Sequence, residues 1–132
     1  MGVVLASPFL FMNMKILIVE DELLIQQSLK KLLSSKGAEV IACSRGQAGI
    51  QEILSHHFDR IVCDLMLQDI TGFDVIEESK KKYSEEDIKK KFIIMTAYSS
   101  DNIIDKANGY GCAFLKKPFD LNTAIETIMG EQ

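Results

Sequence analysis

The chain has 132 residues, of which 47% are hydrophobic and 26% charged, as in one globular domain and not in a disordered or collagen-like chain. Its 15 basic and 19 acidic side chains give a net charge of −4, which disfavours binding to nucleic acid by bulk electrostatics. Three cysteines without a C-x-x-C pair argue against a disulfide framework or a zinc site, so we expect a reduced, cytoplasmic protein.

Residues 1–13 are apolar and contain no basic residue. The run is too short for a bilayer span, which needs about 20 residues, and it lacks the basic start of a signal peptide. Three interpretations stay open: a non-native start with Met12 or Met14 as the natural beginning, a loose tail that docks on a protein surface, or a weak membrane tether. We expect residues 1–13 to be a disordered or non-native extension, residues 14–130 to form the domain, and no membrane partner.

Short apolar runs alternate with helical periodicity along the rest of the chain. Such runs, rich in β-branched residues, are typical of strands buried on both faces of a parallel sheet. The first helix has apolar residues at helical spacing from Leu24, and the last is predicted to turn Leu121 inward. Strands are predicted at residues 15–19, 40–43, 61–63, 92–95 and 112–115, and helices from 24 to the stop at Gly37, at 45–57, from 73 onward, at 100–109 and at 121–129.

Five successive strand–helix units predict an α/β fold with a parallel sheet, right-handed crossovers and helices on both faces. One stretch, from Glu77 to Lys91, is dense in charge, and each of its five acids has a lysine four residues later. This spacing predicts a solvated helix and its extension, stabilised by pairs four residues apart. A charged docking face is the alternative.

Polar residues follow the predicted strands, at the edge of the sheet where parallel folds bind ligands. Glu20 and Asp21 follow the first strand, Asp64 ends the third, Thr96 ends the fourth, and Lys117 follows the fifth. Each alone could be a helix cap, a turn residue or a surface charge, but their conjunction is far more specific. Clustered carboxylates repel one another unless they take up protons or bind a cation, and oxygen ligands suit Mg²⁺. Mg²⁺ and lysine are common partners of a phosphoryl group, which a carboxylate can accept.

Four motifs surround these residues. They are Ile16-Leu17-Ile18-Val19-Glu20-Asp21-Glu22, Asp64-Leu65-Met66-Leu67 with Gly72 eight residues after Asp64, Met95-Thr96-Ala97-Tyr98, and Lys117-Pro118-Phe119-Asp120. Together they resemble the motifs of the receiver domain of bacterial two-component response regulators, over residues 14–130. The resemblance implies a flavodoxin-like fold, with a five-stranded parallel sheet of order 2-1-3-4-5 and five flanking helices.

The resemblance also implies a role for each matching residue. Asp64 would be the phosphoacceptor, and Mg²⁺ would be held by Glu20, Asp21, Asp64 and the main-chain carbonyl of Met66. The phosphoryl group would contact Thr96, Ala97 and Lys117. Thr96 and Phe114 would be the switch residues, acting on a surface made by the fourth helix, the fifth strand and the fifth helix.

The sequence departs from the family pattern at several positions. Glu20 replaces the commoner Asp, and Gln68 stands where a proline is common, which predicts a softer loop after Asp64. The stretch from Gly111 to Lys117 is one residue shorter than usual, and the connection from Gly72 to Thr96 is longer. Met66 and Tyr98 flank the path of an attacking water without a carboxylate or amide to orient it, which predicts slow self-dephosphorylation.

We therefore expect a single-domain response regulator that receives a phosphoryl group from a histidine kinase or phosphotransfer protein and acts on a downstream protein. It would be no enzyme beyond its own phosphorylation and dephosphorylation, bind no nucleic acid directly, and be a monomer or a phosphorylation-dependent dimer. A receiver-like docking module that works without phosphorylation is the alternative. An aspartate-nucleophile phosphohydrolase is disfavoured because Met66 stands where such enzymes have a second Asp, and no G-x-G-x-x-G follows the first strand, as a dinucleotide site would require.

Overall fold

A computed structural model describes residues 7–97 and 100–130. Its centre is a parallel sheet of five strands in the order β2-β1-β3-β4-β5, which confirms the predicted topology. The elements in chain order are β1 Lys15–Val19, α1 Leu23–Ser35, β2 Glu39–Cys43, α2 Gly46–Ser55, β3 Arg60–Asp64, α3 Gly72–Ser79, α4 Glu85–Lys91, β4 Phe92–Thr96, α5 Asp101–Tyr110, β5 Ala113–Lys116 and α6 Leu121–Met129.

Both faces of the sheet are buried by helices. Leu17 and Val19 belong to one hydrophobic cluster, together with residues of α2, α3, α4 and α5. Ile16 and Ile18 belong to a second cluster, together with residues of α1 and α6. Because successive strand residues point to opposite faces, covering both faces requires the continuous apolar runs seen in the sequence. Polar side chains are therefore left to the ends of the strands.

The chain forms six helices in its described part, where five were predicted, because the charged segment (residues 77–91) breaks into two helices. α3 ends at Ser79, and the Tyr83 ring, 7% exposed, joins the first hydrophobic cluster. The chain turns to bury this ring, and Ser84 then begins α4 by accepting a hydrogen bond from Asp87 N. The spacing of charged residues does not predict this break, because the break accompanies the burial of a single aromatic side chain.

The ion pairs of the charged segment join residues three apart, and the predicted spacing of four is wrong. Glu77 pairs with Lys80 at 3.0 Å, and Glu86 pairs with Lys89 at 3.4 Å. For Glu77 and Glu78 the reason is that α3 ends at Ser79, before the lysines that stand four residues later. These pairs are exposed, and such pairs contribute only about 0–1 kcal/mol each.

Residues 8–13 form a turn that packs at the amino-terminal end of the sheet. Phe11 is fully buried in the second hydrophobic cluster, and its N–H donates to Lys36 O at 2.8 Å. Gly37, with a φ of +98°, lies so close that a Cβ there would be 3.2 Å from the Met12 backbone. Within the extension expected to be disordered or non-native, residues 8–13 thus form an ordered turn, because an aromatic ring in the core holds them. Residues 1–6 lie outside the described part.

Two leucines of the predicted apolar helix faces are exposed at the carboxyl end of the sheet. Leu121, predicted to face inward, is 56% exposed, and Leu24 is 82% exposed. Both stand in the first turn of their helices, α6 and α1, beyond the strand ends that would cover them. Among the described helices, none has the length and apolar character needed to cross a membrane.

Candidate functional site

The ends of four strands bring the predicted site residues to one edge of the sheet. Glu20 follows β1, Asp64 ends β3, Thr96 ends β4 and Lys117 follows β5. The first two stand side by side because β1 and β3 are neighbours in register. The strand order reverses between these two strands, which is the usual position of ligand sites in open parallel sheets.

Three carboxylates form a compact group that we call the carboxylate cluster: Glu20, Asp21 and Asp64. Each places one oxygen within 4.8 Å of the others. Glu20 is fully buried, Asp64 is 3% exposed, and Asp21 is partly exposed. Among the described residues this is the one group of His, Cys, Asp or Glu side chains close enough to hold a metal ion.

Lys117 extends its ammonium into the carboxylate cluster. Its Nζ lies 2.7 Å from Glu20 Oε1 and 2.8 Å from Asp64 Oδ2. The more exposed carboxylate of Glu22 is 3.3 Å away. One ammonium against three clustered carboxylates leaves excess negative charge around oxygen donors, which is the chemistry that Mg²⁺ prefers. The residues present therefore fit a magnesium ion.

Burial and charge act in opposite directions on the ionisable groups of the site. Burial, with a smaller contribution from the Asp64 charge, raises the pKa of Glu20 to about 7, against the lowering effect of hydrogen bonds from Lys117 and from Glu22 N. Burial by itself would lower the pKa of Lys117, but its hydrogen bonds to Asp64 and Glu20 raise this pKa above the ordinary value. Cation binding would therefore compete with a proton on Glu20.

Backbone groups hold the two buried carboxylates in place. Met66 N donates to Asp64 Oδ1 at 3.0 Å, and Glu22 N donates to Glu20 Oε2 at 2.9 Å. Gly72 lets α3 begin against the end of β3, because a Cβ at this position would lie 2.5 Å from Asp64 O. The carboxylates are thus oriented by main-chain atoms that belong to the turns after each strand.

The other predicted site residues lie at different depths. Thr96 is fully buried, and its carbonyl accepts a hydrogen bond from Lys117 N at 3.0 Å. Ala97 is exposed beside it, and Met66 is 54% exposed. Phe114 is half-buried in β5 and packs against the first hydrophobic cluster. Tyr98 lies outside the described residues.

Sequence reasoning missed two residues that support the site. Gln26 is 5% exposed, and its Nε2 donates to Glu20 O at 2.8 Å and to Ser44 Oγ at 3.1 Å. The sequence does offer a sign of this role, because Gln26 is a polar residue on the buried face of α1, three residues before Leu29. Glu22 contacts Lys117. In the sequence it is only the third acid of the run Glu20-Asp21-Glu22, which does not predict this contact.

Comparisons with known proteins agree with this arrangement. The sequence profile described as the response regulator receiver domain matches residues 16–129. Response regulator ArlR of Staphylococcus aureus is 34% identical over 117 residues, covering 86% of this chain and 50% of that protein. Probable transcriptional regulator ycf29 of Pyropia yezoensis is 25% identical over 118 residues, covering 89% of this chain and 52% of that protein. The chain spans about half the length of these curated relatives.

Solved structures share the fold. The non-phosphorylated HemR receiver domain of Leptospira biflexa has a TM-score of 0.79 and 27% identity, with 91% of this chain and 97% of that chain covered. Response regulator TrrA of Thermotoga maritima, solved in complex with Mg²⁺ and BeF, has a TM-score of 0.72 and 27% identity. That alignment covers 84% of this chain and 92% of the other.

Proposed function

Because this chain belongs to the response regulator receiver domain family of two-component systems, we propose that it accepts a phosphoryl group on Asp64 in a Mg²⁺-dependent reaction. The observation that carries the proposal is the Asp64 carboxylate itself. It is nearly buried, oriented by Met66 N at 3.0 Å and contacted by Lys117 Nζ at 2.8 Å. A carboxylate so held is prepared for attack on phosphorus.

The proposed donor is a phosphohistidine on a histidine kinase or phosphotransfer protein. An oxygen of Asp64 attacks the phosphorus, the O–P bond forms and the P–N bond breaks, with the electron pair left on the imidazole nitrogen of the donor. Lys117, already within 2.8 Å of Asp64 Oδ2, is placed to contact the phosphoryl oxygens. Ala97, exposed at the end of β4, and Thr96 are proposed as further phosphoryl contacts.

Glu20, Asp21 and Asp64, with the main-chain carbonyl of Met66, would hold the magnesium ion. When bound, Mg²⁺ supplies neutralisation of the charge on the phosphoryl oxygens. Without it, the transferred group would add negative charge to a site where Glu20 already has its pKa raised to about 7 by burial. The excess of carboxylates over ammonium groups at the site supports this part of the proposal.

Thr96 and Phe114 are the proposed switch residues. Thr96 O accepts from Lys117 N, and β4 pairs with β5 so that Ile94 stands beside Phe114. A change at the phosphoryl site therefore has a short covalent and hydrogen-bonded route to β5. The surface made by α5, β5 and α6, which corresponds to the predicted one, is proposed to bind a downstream protein target.

Exposed apolar side chains support a protein as phosphoryl donor. Leu24 and Leu121 line a cavity of about 530 Å³ whose wall also includes Lys117, so they lie on the approach to Asp64. Leucines exposed by 82% and 56% are covered when a partner docks beside the acceptor. A phosphohistidine protein would bring its imidazole to the carboxylate from this side.

Several predictions about the whole protein remain proposals. They are a receiver domain over residues 14–130, to which Phe11 adds core packing, and a cytoplasmic location as a monomer or phosphorylation-dependent dimer. Slow self-dephosphorylation is proposed from Met66, whose exposed thioether cannot orient a water. The proposed role is signalling, with no catalysis beyond its own phosphorylation and dephosphorylation.

Intact mass after incubation with a small-molecule phosphodonor tests the central proposal. The parent, Asp64→Asn and a control, Asp87→Asn, are each treated with and without Mg²⁺. Asp87 is an exposed carboxylate on α4, so its substitution makes the same change of charge away from the site. We expect one phosphoryl adduct that requires Mg²⁺ in the parent and the control, and none in Asp64→Asn.

An adduct that persists in Asp64→Asn would exclude Asp64 as the acceptor. No adduct in the parent under any Mg²⁺ concentration would overturn phosphoryl acceptance, and the phosphorylation-independent docking module would then be the better account.

A further inference from the structure

The loop that follows Asp64 is attached to a neighbouring helix by one carboxylate. Asp69 Oδ1 accepts a hydrogen bond from Gly46 N at 2.8 Å, and Asp69 Oδ2 accepts one from Gln47 N at 2.9 Å. These N–H groups belong to the first turn of α2, where a helix has no internal partners for them. Arg45, the residue at the N-cap of α2, makes no side-chain capping bond. Asp69 therefore caps α2 from a different element.

Apolar packing accompanies the two hydrogen bonds. A Cβ placed on Gly46 would run into the Ile70 side chain and would lie 3.2 Å from Leu67 Cδ1. Because Gly46 has no side chain, Leu67 and Ile70 of the loop pack directly against the start of α2. Leu67 and Ile70 also pack against the first hydrophobic cluster, while Gln68 is exposed. The close packing that Gly46 allows and the hydrogen bonds to Asp69 together hold the tip of the loop, residues 67–70, against α2.

The rest of this loop, residues 65–71, is held at its base. Leu65 N donates to Met95 O at 3.0 Å, and Met66 forms a bridge with Thr71. Between Met66 and Asp69 stand only two residues, Leu67 and the exposed Gln68. The tip is therefore only two residues from Met66, whose N–H orients Asp64 Oδ1.

We propose that Asp69 is a positioning residue, which fixes the loop after Asp64 by clasping the first turn of α2 and so holds the Met66 backbone in place for the carboxylate cluster. The inference rests on the proposed function, because the Met66 carbonyl is a proposed magnesium ligand and Asp64 is the proposed acceptor. Asp69 acts through Met66 and touches none of the reacting atoms. It compensates for Gln68, which leaves the backbone of this loop without the restriction that a proline would impose.

Three measurements on the full chain test the role of Asp69, with Asp69→Ala, Asp69→Asn and the control Asp87→Ala. The first is amide hydrogen exchange of residues 65–71 in metal-free protein. The second is the dissociation constant of Mg²⁺ by calorimetry, and the third is the rate of phosphorylation by a small-molecule donor. Asp87 supplies the control because it lies in the first turn of α4, far along the chain from the loop.

We expect Asp69→Ala to speed exchange in the loop and to weaken Mg²⁺ binding about tenfold, as is common when a residue that orients a metal ligand is lost. Phosphorylation at low Mg²⁺ should slow in proportion and recover at saturating Mg²⁺. Asp69→Asn, which keeps one carbonyl acceptor, should fall between the parent and Asp69→Ala. Asp87→Ala should match the parent in all three.

A lower melting temperature in both Asp69 variants, with loop exchange and Mg²⁺ affinity unchanged, would reduce Asp69 to a helix cap and overturn the inference. Asp69 variants that match Asp87→Ala throughout would overturn it as well. A parent that binds Mg²⁺ but takes no phosphoryl group would defeat the proposed function alone, since exchange and calorimetry would still decide the role of Asp69. Should Asp69→Ala fail to fold, Asp69→Asn provides the same three measurements.

Discussion

The carboxylate cluster and the charged segment are both dense in charge, but their charged groups have different partners and different exposure. In the cluster, one lysine, Lys117, lies within 2.8 Å of two buried carboxylates. In the charged segment, three exposed acids each pair with the lysine three residues later. Burial raises the pKa of Glu20 to about 7, whereas hydrogen bonds from Tyr110 and Lys80 lower the pKa of the exposed Glu77.

Two lysines of the charged segment bind carbonyl oxygens and no carboxylate of that segment. Lys82 donates to the carbonyls of Ile53 and His56 at the end of α2, and Lys91 donates to Phe58 O at 2.7 Å. Both ammonium groups also lie over the Tyr83 ring, at 5.5 and 5.0 Å from its centroid. The segment is therefore anchored by an aromatic ring and by carbonyl oxygens. Charge density alone does not predict how either region balances its charges, because burial determines the free energy of keeping each side chain charged.

The largest effect is expected from Tyr83→Ala, which removes the buried ring of the charged segment. Large aromatic-to-alanine changes in a core cost about 3–5 kcal/mol. Tyr83→Phe should cost less than about 1 kcal/mol, because its hydroxyl accepts only one long bond, from Phe58 N at 3.4 Å. Urea denaturation of both variants measures the difference. A cost for Tyr83→Ala as small as that of a surface ion pair would mean that charge pairing holds the segment after all.

A second prediction uses the same substitution in the two regions, Glu20→Gln and Glu86→Gln. The folded-state pKa of Glu20 is raised from 4.5 to about 7, so the metal-free folded protein binds a proton there that the unfolded chain has released. Stability from this group is present below about pH 4.5 and is lost as pH rises toward 7. The loss is on the order of 2–3 kcal/mol.

Denaturation of metal-free protein between pH 5 and pH 8 measures this dependence. We expect Glu20→Gln to remove it, since glutamine carries no charge to bury, and to weaken Mg²⁺ binding at the same time. Glu86→Gln should follow the parent at every pH, because its side chain is 70% exposed. If the two variants behave alike, burial of Glu20 has no energetic consequence and the contrast between the regions fails.

The smallest effect separates two adjacent lysines of the charged segment. Lys82→Met loses the hydrogen bonds to Ile53 O and His56 O, which should cost about 1–2 kcal/mol. Lys81→Met loses an exposed pair with Glu78 and should cost less than about 0.5 kcal/mol. Added salt should reduce the second loss and leave most of the first. If the two variants lose the same free energy of unfolding, with the same sensitivity to salt, Lys82 contributes no more than an exposed surface charge.

The five parallel strands and the convergence of Glu20, Asp64 and Lys117 followed from the residue pattern, whereas the strand order followed from the resemblance to receiver domains. Continuous apolar runs are typical of strands covered by helices on both faces of a parallel sheet, and parallel strands all end at the same edge. The position of each polar residue after its strand then places it at that edge without any knowledge of side-chain contacts.

Contacts between residues far apart in sequence could not be read in this way. The burial of Phe11 and Tyr83, the exposure of Leu121, and the bond from Asp69 to α2 each depend on which surfaces the folded elements leave open. Periodicity reports the face of a helix but not where that helix extends past the sheet. Local spacing therefore predicted the framework and the cluster of charges, whereas the supports of the site arise from packing, because a helix cap or a core position can be filled from any part of the chain.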